Sequence, residues 1–271
     1  MANLTPNLFE QLRKKKEKLE NKGQGGDFLE NFVQIAENET AQLRILPGNP
    51  NPEEFYIETA LHKIGENNFH CPRKRDEKCP ICDLYVDIWK DINSDGKDSP
   101  AGKAKRDFIF NNGIRPSDRY YFNVYDRRDG KVKILSQGLK VFQKILDGMF
   151  DPDFGNGETY IFDVENGWDF NLKMKKVAGY NNYDNSAFRP KQTPLAESEE
   201  EIASILAQRH DIRALVKIAN YEELRAVADS KKDQYRAEIL GIAAAVAPKA
   251  ESGDPKSDGD DFAKSIDDLE C

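Results

Sequence analysis

The chain has 271 residues, of which 32% are charged and 38% are hydrophobic. No apolar run approaches the roughly 20 residues that a membrane span needs, and the first residues lack the apolar segment of a secretory signal, so we expect an intracellular protein with no membrane partner. The formal net charge of −8 is uneven: residues 251–271 hold eight acids and two bases, residues 11–22 six bases and two acids, and residues 101–135 nine bases and four acids. The distribution of charge, with two basic segments and one acidic end, therefore indicates the binding partners of the protein better than its net charge does.

Residues 1–22 are predicted to form a basic N-terminal arm. Apolar side chains at helical spacing between Leu8 and Leu19 favour a short helix, which carries the bases Arg13, Lys14, Lys15 and Lys16. Residues 23–26, Gly-Gln-Gly-Gly, predict a hinge after it. A charged end that is merely solvated is the alternative interpretation.

The next segment is predicted to be a β-hairpin followed by a third strand. Residues 32–36 and 41–46 alternate between apolar and polar side chains around Asn38-Glu39, which is typical of two paired strands. Residues 55–61 then form an apolar run that ends at His62.

A metal site is predicted between residues 62 and 82. Cys79-Pro80-Ile81-Cys82 is a Cys-x-x-Cys turn, and Cys71 with one histidine would complete a Cys₃His set for Zn²⁺. His62 is preferred over His70, because a strand would fix its position and because adjacent residues such as His70 and Cys71 seldom turn onto one metal. Four protein ligands leave no open position for water, so one structural zinc ion is expected, in a subdomain of about residues 62–92. A redox Cys-x-x-Cys or plain buried thiols are the alternatives.

Helices and short strands are predicted to alternate through the rest of the chain. Ile81, Leu84, Tyr85, Ile88 and Trp89 recur at helical spacing and are interpreted as core, and residues 93–102 as a mobile loop. Strands follow on both sides of an Asp129-Gly130 turn, a helix over residues 139–150, and a hairpin of residues 159–164 and 169–175. This order predicts an α+β fold with a small, partly closed barrel, helices from residue 197 onward, and an acidic tail over residues 248–271 that cannot order itself.

Bases and aromatic rings interleave between residues 103 and 125. Positive side chains neutralise phosphates, and flat rings stack on unpaired bases, so the combination favours single-stranded nucleic acid. Because strand residues alternate in direction, Tyr120 and Phe122 cannot easily share a face with Tyr121, and some of these rings must be core. The candidate basic contacts are Lys103, Lys105, Arg106, Arg115 and Arg119. No motif typical of a nucleophile, phosphate loop or catalytic metal occurs, so no enzyme activity is expected.

The chain resembles the single-stranded-DNA-binding, helix-destabilising replication proteins of T-even-type bacteriophages. The residues that carry the resemblance are His62, Cys71, Cys79-Pro80-Ile81-Cys82, the segment Val-Ala-Gly-Tyr-Asn-Asn-Tyr-Asp at 177–184, and Tyr221-Glu222-Glu223-Leu224. The resemblance implies an OB-fold β-barrel core over residues 23–247 with an inserted zinc-binding subdomain. It also supports His62 as the fourth metal ligand and implies that Tyr120, Tyr121, Tyr180 and Tyr183 lie along a DNA groove near Arg115.

The same resemblance implies a function and partners. It implies cooperative coating of single-stranded DNA, in which the arm residues 13–16 contact a neighbouring copy. It further implies that the acidic tail recruits phage DNA polymerase, helicase loader, primase and recombination proteins, during replication, recombination and repair in the cytoplasm of the infected bacterium. The alternative function is that of a zinc-containing, RNA-binding translational regulator.

Overall fold

The computed structural model describes residues 29–152 and 162–245, with side chains up to residue 239. The arm (1–22), its hinge, the start of the 159–164 strand and the tail (248–271) lie outside these residues. The described strands are β1 Thr40–Ile45, β2 Tyr56–Ile64, β3 Asn67–His70, β4 Ser117–Asp126, β5 Lys131–Gln137, β6 Trp168–Lys173, β7 Lys175–Val177, β8 Tyr180–Asn182 and β9 Ala187–Gln192. The α-helices are α1 Pro80–Asp95, α2 Pro100–Asn111, α3 Leu139–Phe150, α4 Glu199–Ala207 and α5 Tyr221–Ala245, with 3-10 helices at Pro72–Arg75 and Ile212–Leu215.

Seven of these strands form one sheet in the order β3-β2-β4-β1-β6-β9, with β5 pairing along β4. All of its strand pairs are antiparallel. The long strand β4 pairs with β2 over its first half and with β1 near its end, while β5 follows its other edge. The α+β class and the C-terminal helices are thus confirmed. The pairings between described strands do not close into a barrel, so the OB-fold stays a prediction.

The hairpin predicted for residues 32–36 and 41–46 is wrong. Strand β1 already has a partner on each edge, β4 and β6, and so cannot pair with the segment before it. That segment turns instead toward β5, where Phe32 bridges Ile134 in parallel and the amide of Val33 donates to the Ile134 carbonyl at 2.9 Å. Of its apolar side chains, Val33 and Ile35 pack against the main core, and Phe32 packs against a smaller cluster that contains Ile134.

The loop predicted over residues 93–102 is shorter than expected and comprises residues 96–99, because α1 continues to Asp95 and α2 begins at Pro100. Ser99 caps α2 by accepting a hydrogen bond from the amide of Gly102 at 2.9 Å, and proline is favoured at the first helical position. A serine followed by proline is a helix-start signal that the sequence did contain. Residues 103–106 therefore lie on a helix.

Two apolar clusters position the functional residues. The main core lies between the sheet and α3 and includes Phe122, Phe142 and Phe170. A second cluster joins β2 to α1, α2 and α5 and contains all three described cysteines. Residues of α2 and α5 thus pack with the metal-bearing segment beyond its predicted end at residue 92.

A buried ion pair joins β1 to β6. The Arg44 Nε atom donates to the Asp169 carboxylate at 2.9 Å, and each side chain is 1% exposed. Arg44 also donates to the carbonyls of Gly167 and Thr193. Burial alone would raise the pKa of Asp169, but the hydrogen bond from Gln42 and the charges of Arg44 and Arg127 hold that pKa below its ordinary value.

Candidate metal centre and nucleic-acid interface

Four potential metal ligands meet in the second apolar cluster, and we call His62, Cys71, Cys79 and Cys82 the metal cluster. His62 lies within β2, Cys71 directly precedes the first 3-10 helix, Cys79 directly precedes α1, and Cys82 lies in the first turn of α1. All four residues are buried, and their ligand atoms lie within 4.8 Å of one another. A strand, a turn and a helix N-terminus thus bring together ligands that are separated in sequence.

The distances in the metal cluster suit a single ion. His62 Nε2 lies 3.4 Å from Cys79 Sγ and 3.5 Å from Cys82 Sγ, and Cys71 Sγ lies 3.4 Å from Cys82 Sγ. A tetrahedral ion bound at about 2.3 Å to sulfur and about 2.0 Å to nitrogen separates its ligand atoms by about 3.5–3.8 Å. The three described cysteines are free thiols. The metal cluster can therefore hold one metal ion.

The surroundings prepare these ligands for a metal. His62 Nδ1 lies 2.8 Å from the carbonyl oxygen of Ile114, so Nδ1 carries the proton and Nε2 faces the thiols. Burial lowers the pKa of His62, but its contacts with Cys71 and Cys79 outweigh burial and raise that pKa to about 9, so a metal ion must displace a proton that Nε2 shares with the thiols. Hydrogen bonds with Cys71 and Cys82 lower the pKa of Cys79, which favours the thiolate form that binds metals.

His70 is outside the metal cluster. Its Nδ1 atom lies 3.0 Å from Thr59 Oγ1, and its ring lies near Tyr121. The structure thus places His62, and not His70, with the three thiols.

A surface of rings and positive charges lies beside the metal cluster, and we call Tyr85, Trp89, Lys97, Phe110 and Arg115 the aromatic patch. The rings of Tyr85 and Trp89 on α1 are stacked with centroids 6.0 Å apart, and the Lys97 ammonium lies 6.0 Å from the Trp89 ring centroid. The Arg115 guanidinium lies 5.8 Å from the Phe110 ring centroid, and Phe110 is 49% exposed. Burial raises the pKa of Tyr85, and the positive charge of Arg115 opposes this rise, so Arg115 is near both Tyr85 and Phe110. Partly exposed rings with adjacent cations are the groups that bind unpaired bases.

Sequence reasoning missed most of the aromatic patch. The helical spacing predicts Tyr85 and Trp89 as core with Ile81, Leu84 and Ile88. The three aliphatic residues are buried, whereas the two rings pack against the edge of the second cluster and stay partly exposed. The two rings are four residues apart, so they lie next to each other along one edge of the apolar face of α1. That edge borders solvent. Their spacing was visible in the sequence, but which edge of the stripe meets solvent was not.

The predicted bases on α2 differ in their surroundings. Lys103 and Arg106 lie seven and four residues before Phe110 and thus on its side of α2, with Lys103 exposed and Arg106 half-buried. Lys105 faces inward, is 9% exposed and forms an ion pair with Asp95. This ion pair joins α2 to α1, and the role of Lys105 as a nucleic-acid contact stays a prediction.

The predicted contacts on β4 are mainly packing residues. Tyr120 is 4% exposed, with its ring stacked on Phe142 at a centroid distance of 3.9 Å, and Tyr121 is 8% exposed on the opposite face of β4. Both faces of β4 are covered here, so both rings contribute mainly to packing, and their stacking on DNA bases stays a prediction. Arg119 precedes them and is half-buried.

The predicted tyrosines of the 177–184 segment lie at a separate small hairpin, β7–β8. Tyr180 is 79% exposed, whereas Tyr183 is partly buried against the main core. Tyr180 is therefore the tyrosine of this pair that can contact a ligand with most of its ring. The predicted self-association residues 13–16 lie outside the described part of the chain.

Comparisons with known proteins bear on the family of this chain. The family model described as "gp32 DNA binding protein like" matches residues 37–233. The single-stranded DNA-binding protein of Enterobacteria phage T4 is 29% identical over 242 residues, which cover 86% of this chain and 73% of that protein. The protein of the same name from Enterobacteria phage T2 is 28% identical over 238 residues, with the same coverage. No helix in the described ranges is long and apolar enough to span a membrane.

Proposed function

The chain belongs to the family of gp32-like DNA-binding proteins, and we propose that it binds single-stranded DNA without regard to sequence. The aromatic patch is the observation that supports this function best. Bases of a duplex are already stacked on each other, whereas unpaired bases can stack on Phe110 and Trp89 while Arg115 and Lys97 neutralise phosphates. Lys103 and Arg106 extend the positive charge along the same side of α2.

The metal in this proposal is one structural Zn²⁺ ion. Three thiolates and one imidazole form the ligand set that zinc prefers, and four protein ligands leave no position for a reacting water. The ion would fix β2 to the N-terminus of α1, and α1 carries Tyr85 and Trp89. Zinc would thus act on DNA binding through the position of the aromatic patch, and the protein would not be an enzyme.

The remaining parts of the chain complete the proposed function. The arm (1–22) would bind a neighbouring copy and make DNA binding cooperative, the core (23–247) would form the OB-fold and bind DNA, and the tail (248–271) would recruit replication, recombination and repair proteins. The protein would act in the cytoplasm of an infected bacterium. Deleting residues 1–22 should abolish cooperativity while single-site affinity stays largely intact, as measured by binding-density curves on long single strands.

The deciding experiment compares oligo(dT), an RNA of matched length and a DNA duplex, each titrated with the full chain at several salt concentrations. We expect oligo(dT) to bind most tightly, with log K falling linearly against log salt by about 0.7 per phosphate contact. Equal affinity for duplex and single strand would overturn the proposal. Preference for RNA would favour the translational regulator instead. Zinc content measured in the same sample tests the identity of the metal.

A further inference from the structure

A cavity of about 380 Å³ lies at the face of the sheet that points away from the main core. Ala41, Phe170 and Phe188 point into the main core, so the residues next to them in β1, β6 and β9 point to this opposite face. We call the residues that line it the arginine cavity: Thr40 and Gln42 of β1, Asn171 of β6, Arg189 of β9, and Arg127 and Arg128 directly after β4. Three of these lining residues are arginines, and none of them is acidic.

Arg127 is held in place by several hydrogen bonds. Its amide donates to the Gln42 carbonyl at 2.9 Å. Its guanidinium donates to both carboxylate oxygens of Asp169, at 3.2 and 3.3 Å. It also donates to the carbonyls of Pro194 and Leu195, at 2.7 and 2.6 Å. A guanidinium has five N–H groups, so one N–H group, on Nη1, is left without an acceptor among the described residues.

Arg128 is held in the same way. Its guanidinium donates to both carboxylate oxygens of Asp126, at 2.9 and 2.7 Å, and to the carbonyl of Gln34 at 2.9 Å. It also forms an ion pair with Glu39 through Nη1. Within the described ranges, the second N–H group of Nη1 has no acceptor. Because Arg127 and Arg128 are already ordered, a ligand that contacts them need not order two long side chains, which lowers the entropic cost of binding.

Arg189 differs from both, because its charge has no partner in the described part of the chain. Its side chain is half-buried on β9, and it forms no hydrogen bond or ion pair with residues 29–152 or 162–239. A charged group that is partly removed from water without a partner raises the free energy of the folded protein. An anion in the arginine cavity would offset this cost, so Arg189 is the residue that favours a ligand most directly.

We propose that the arginine cavity binds a phosphate group, either as free phosphate or pyrophosphate or as part of a mononucleotide. Guanidinium groups match the geometry of phosphate oxygens and donate to them in pairs. The Asn171 amide and the Thr40 hydroxyl supply further donors on the walls. The arginine cavity shares no residue with the aromatic patch. The inference goes beyond the proposed function, because a phosphate site here does not require single-stranded DNA.

A small anion fits the arginine cavity better than a peptide or a DNA strand does. β9 is at the edge of the sheet, and Pro190 interrupts it, which is typical of edges that do not take up a further strand. The residues that line the cavity include no apolar side chain for a peptide to contact. They also include no aromatic ring on which a base of DNA could stack.

The test titrates the full chain with sodium pyrophosphate, inorganic phosphate and dTTP by isothermal calorimetry, in a buffer without other multivalent anions. We expect one site that binds pyrophosphate more tightly than phosphate, because more oxygens meet the guanidinium groups. Arg189→Gln should weaken pyrophosphate binding about 10- to 150-fold, the loss expected for one hydrogen bond to a charged group. Binding of dTTP that is no tighter than that of pyrophosphate would identify the free anion as the ligand, and tighter binding would identify a mononucleotide.

Lys191→Gln is the matched control, because it removes one positive charge from an exposed position on the same strand. It should keep the pyrophosphate affinity of the parent chain. Both variants should also keep the urea midpoint of the parent chain and its affinity for oligo(dT), because neither side chain has a partner among the described residues and neither belongs to the aromatic patch.

The inference is overturned if the parent chain binds none of the three anions, or if both variants weaken pyrophosphate binding equally. It is also overturned if Arg189→Gln weakens oligo(dT) binding as much as pyrophosphate binding, since the cavity would then hold DNA. Tighter binding of oligo-glutamate than of pyrophosphate, lost in Arg189→Gln, would assign the cavity to an acidic peptide and overturn the inference too. A parent chain that binds pyrophosphate but not oligo(dT) would refute the proposed function and leave this inference intact.

Discussion

Gly113 lies at the corner between α2 and β4, where the chain passes β2 closely. Its φ of +64° is in the left-handed region, and a Cβ atom there would overlap the backbone carbonyl of Lys63. The next residue, Ile114, supplies the carbonyl that orients His62 at 2.8 Å. Replacing Gly113 by alanine should therefore move β2 and the metal ligand together.

The size of this effect follows from two contributions. The left-handed conformation costs a residue with a Cβ about 1–2 kcal/mol, and overpacking against a backbone that must shift costs about 1–3 kcal/mol. We expect Gly113→Ala to lower the free energy of unfolding by about 2–5 kcal/mol. Because groups that hydrogen-bond to a metal ligand change metal affinity about 10- to 100-fold, moving the Ile114 carbonyl away from His62 should weaken zinc binding by a similar factor.

Gly65 provides the matched control, because its φ is +61° and no atom lies within 4 Å of the position that a Cβ would occupy. Gly65→Ala should cost only the conformational contribution of about 1–2 kcal/mol and leave zinc affinity unchanged. Urea unfolding measures stability, and competition with a chromogenic chelator measures zinc affinity. Equal effects of the two variants on zinc affinity would refute the reasoning that Ile114 positions His62.

Three further predictions test the surface and the core. Phe110→Ala should weaken oligo(dT) binding about 5- to 150-fold, because one stacked base contributes about 1–3 kcal/mol. Phe150→Ala removes an exposed ring from α3 and should leave this affinity unchanged. Titrations followed by fluorescence anisotropy compare the two variants. Tyr120→Ala should lower the free energy of unfolding by about 3–5 kcal/mol. Tyr120→Phe keeps the ring against Phe142 and should leave DNA affinity unchanged. Weaker DNA binding by Tyr120→Phe would contradict a packing role for Tyr120. Folding lowers the pKa of Asp169, so the ionised carboxylate contributes to the free energy of unfolding above the unfolded-state pKa of about 3.9, and this contribution is lost as pH falls below that value. In urea unfolding across this pH range, the stability of Asp169→Asn should therefore fall less with acid than that of the parent chain. An identical fall in both proteins would contradict the ion-pair assignment.

Local chemistry in the sequence was sufficient for the metal ligands and several elements. The Cys-x-x-Cys turn and the strand before His62 predicted the metal cluster, because two prolines and a short turn restrict where those thiols can point. Asp129-Gly130 predicted the β4–β5 hairpin for the same kind of local reason. Ser99-Pro100 is an equally local signal for the start of α2, although the residues around it have the polar composition of a loop.

Tertiary structure alone decided which surfaces meet solvent. Alternation along β4 predicted that Tyr120 and Tyr121 face opposite sides, but only the packing of α3 on one face and of the second 3-10 helix on the other makes both rings core. The partners of β1 are distant in sequence, so the pattern of residues 32–36 could not exclude a local hairpin. Exposure depends on what distant segments cover, whereas turns, caps and ligand spacings depend on neighbouring residues, and this difference separates what the sequence determined from what the fold decided.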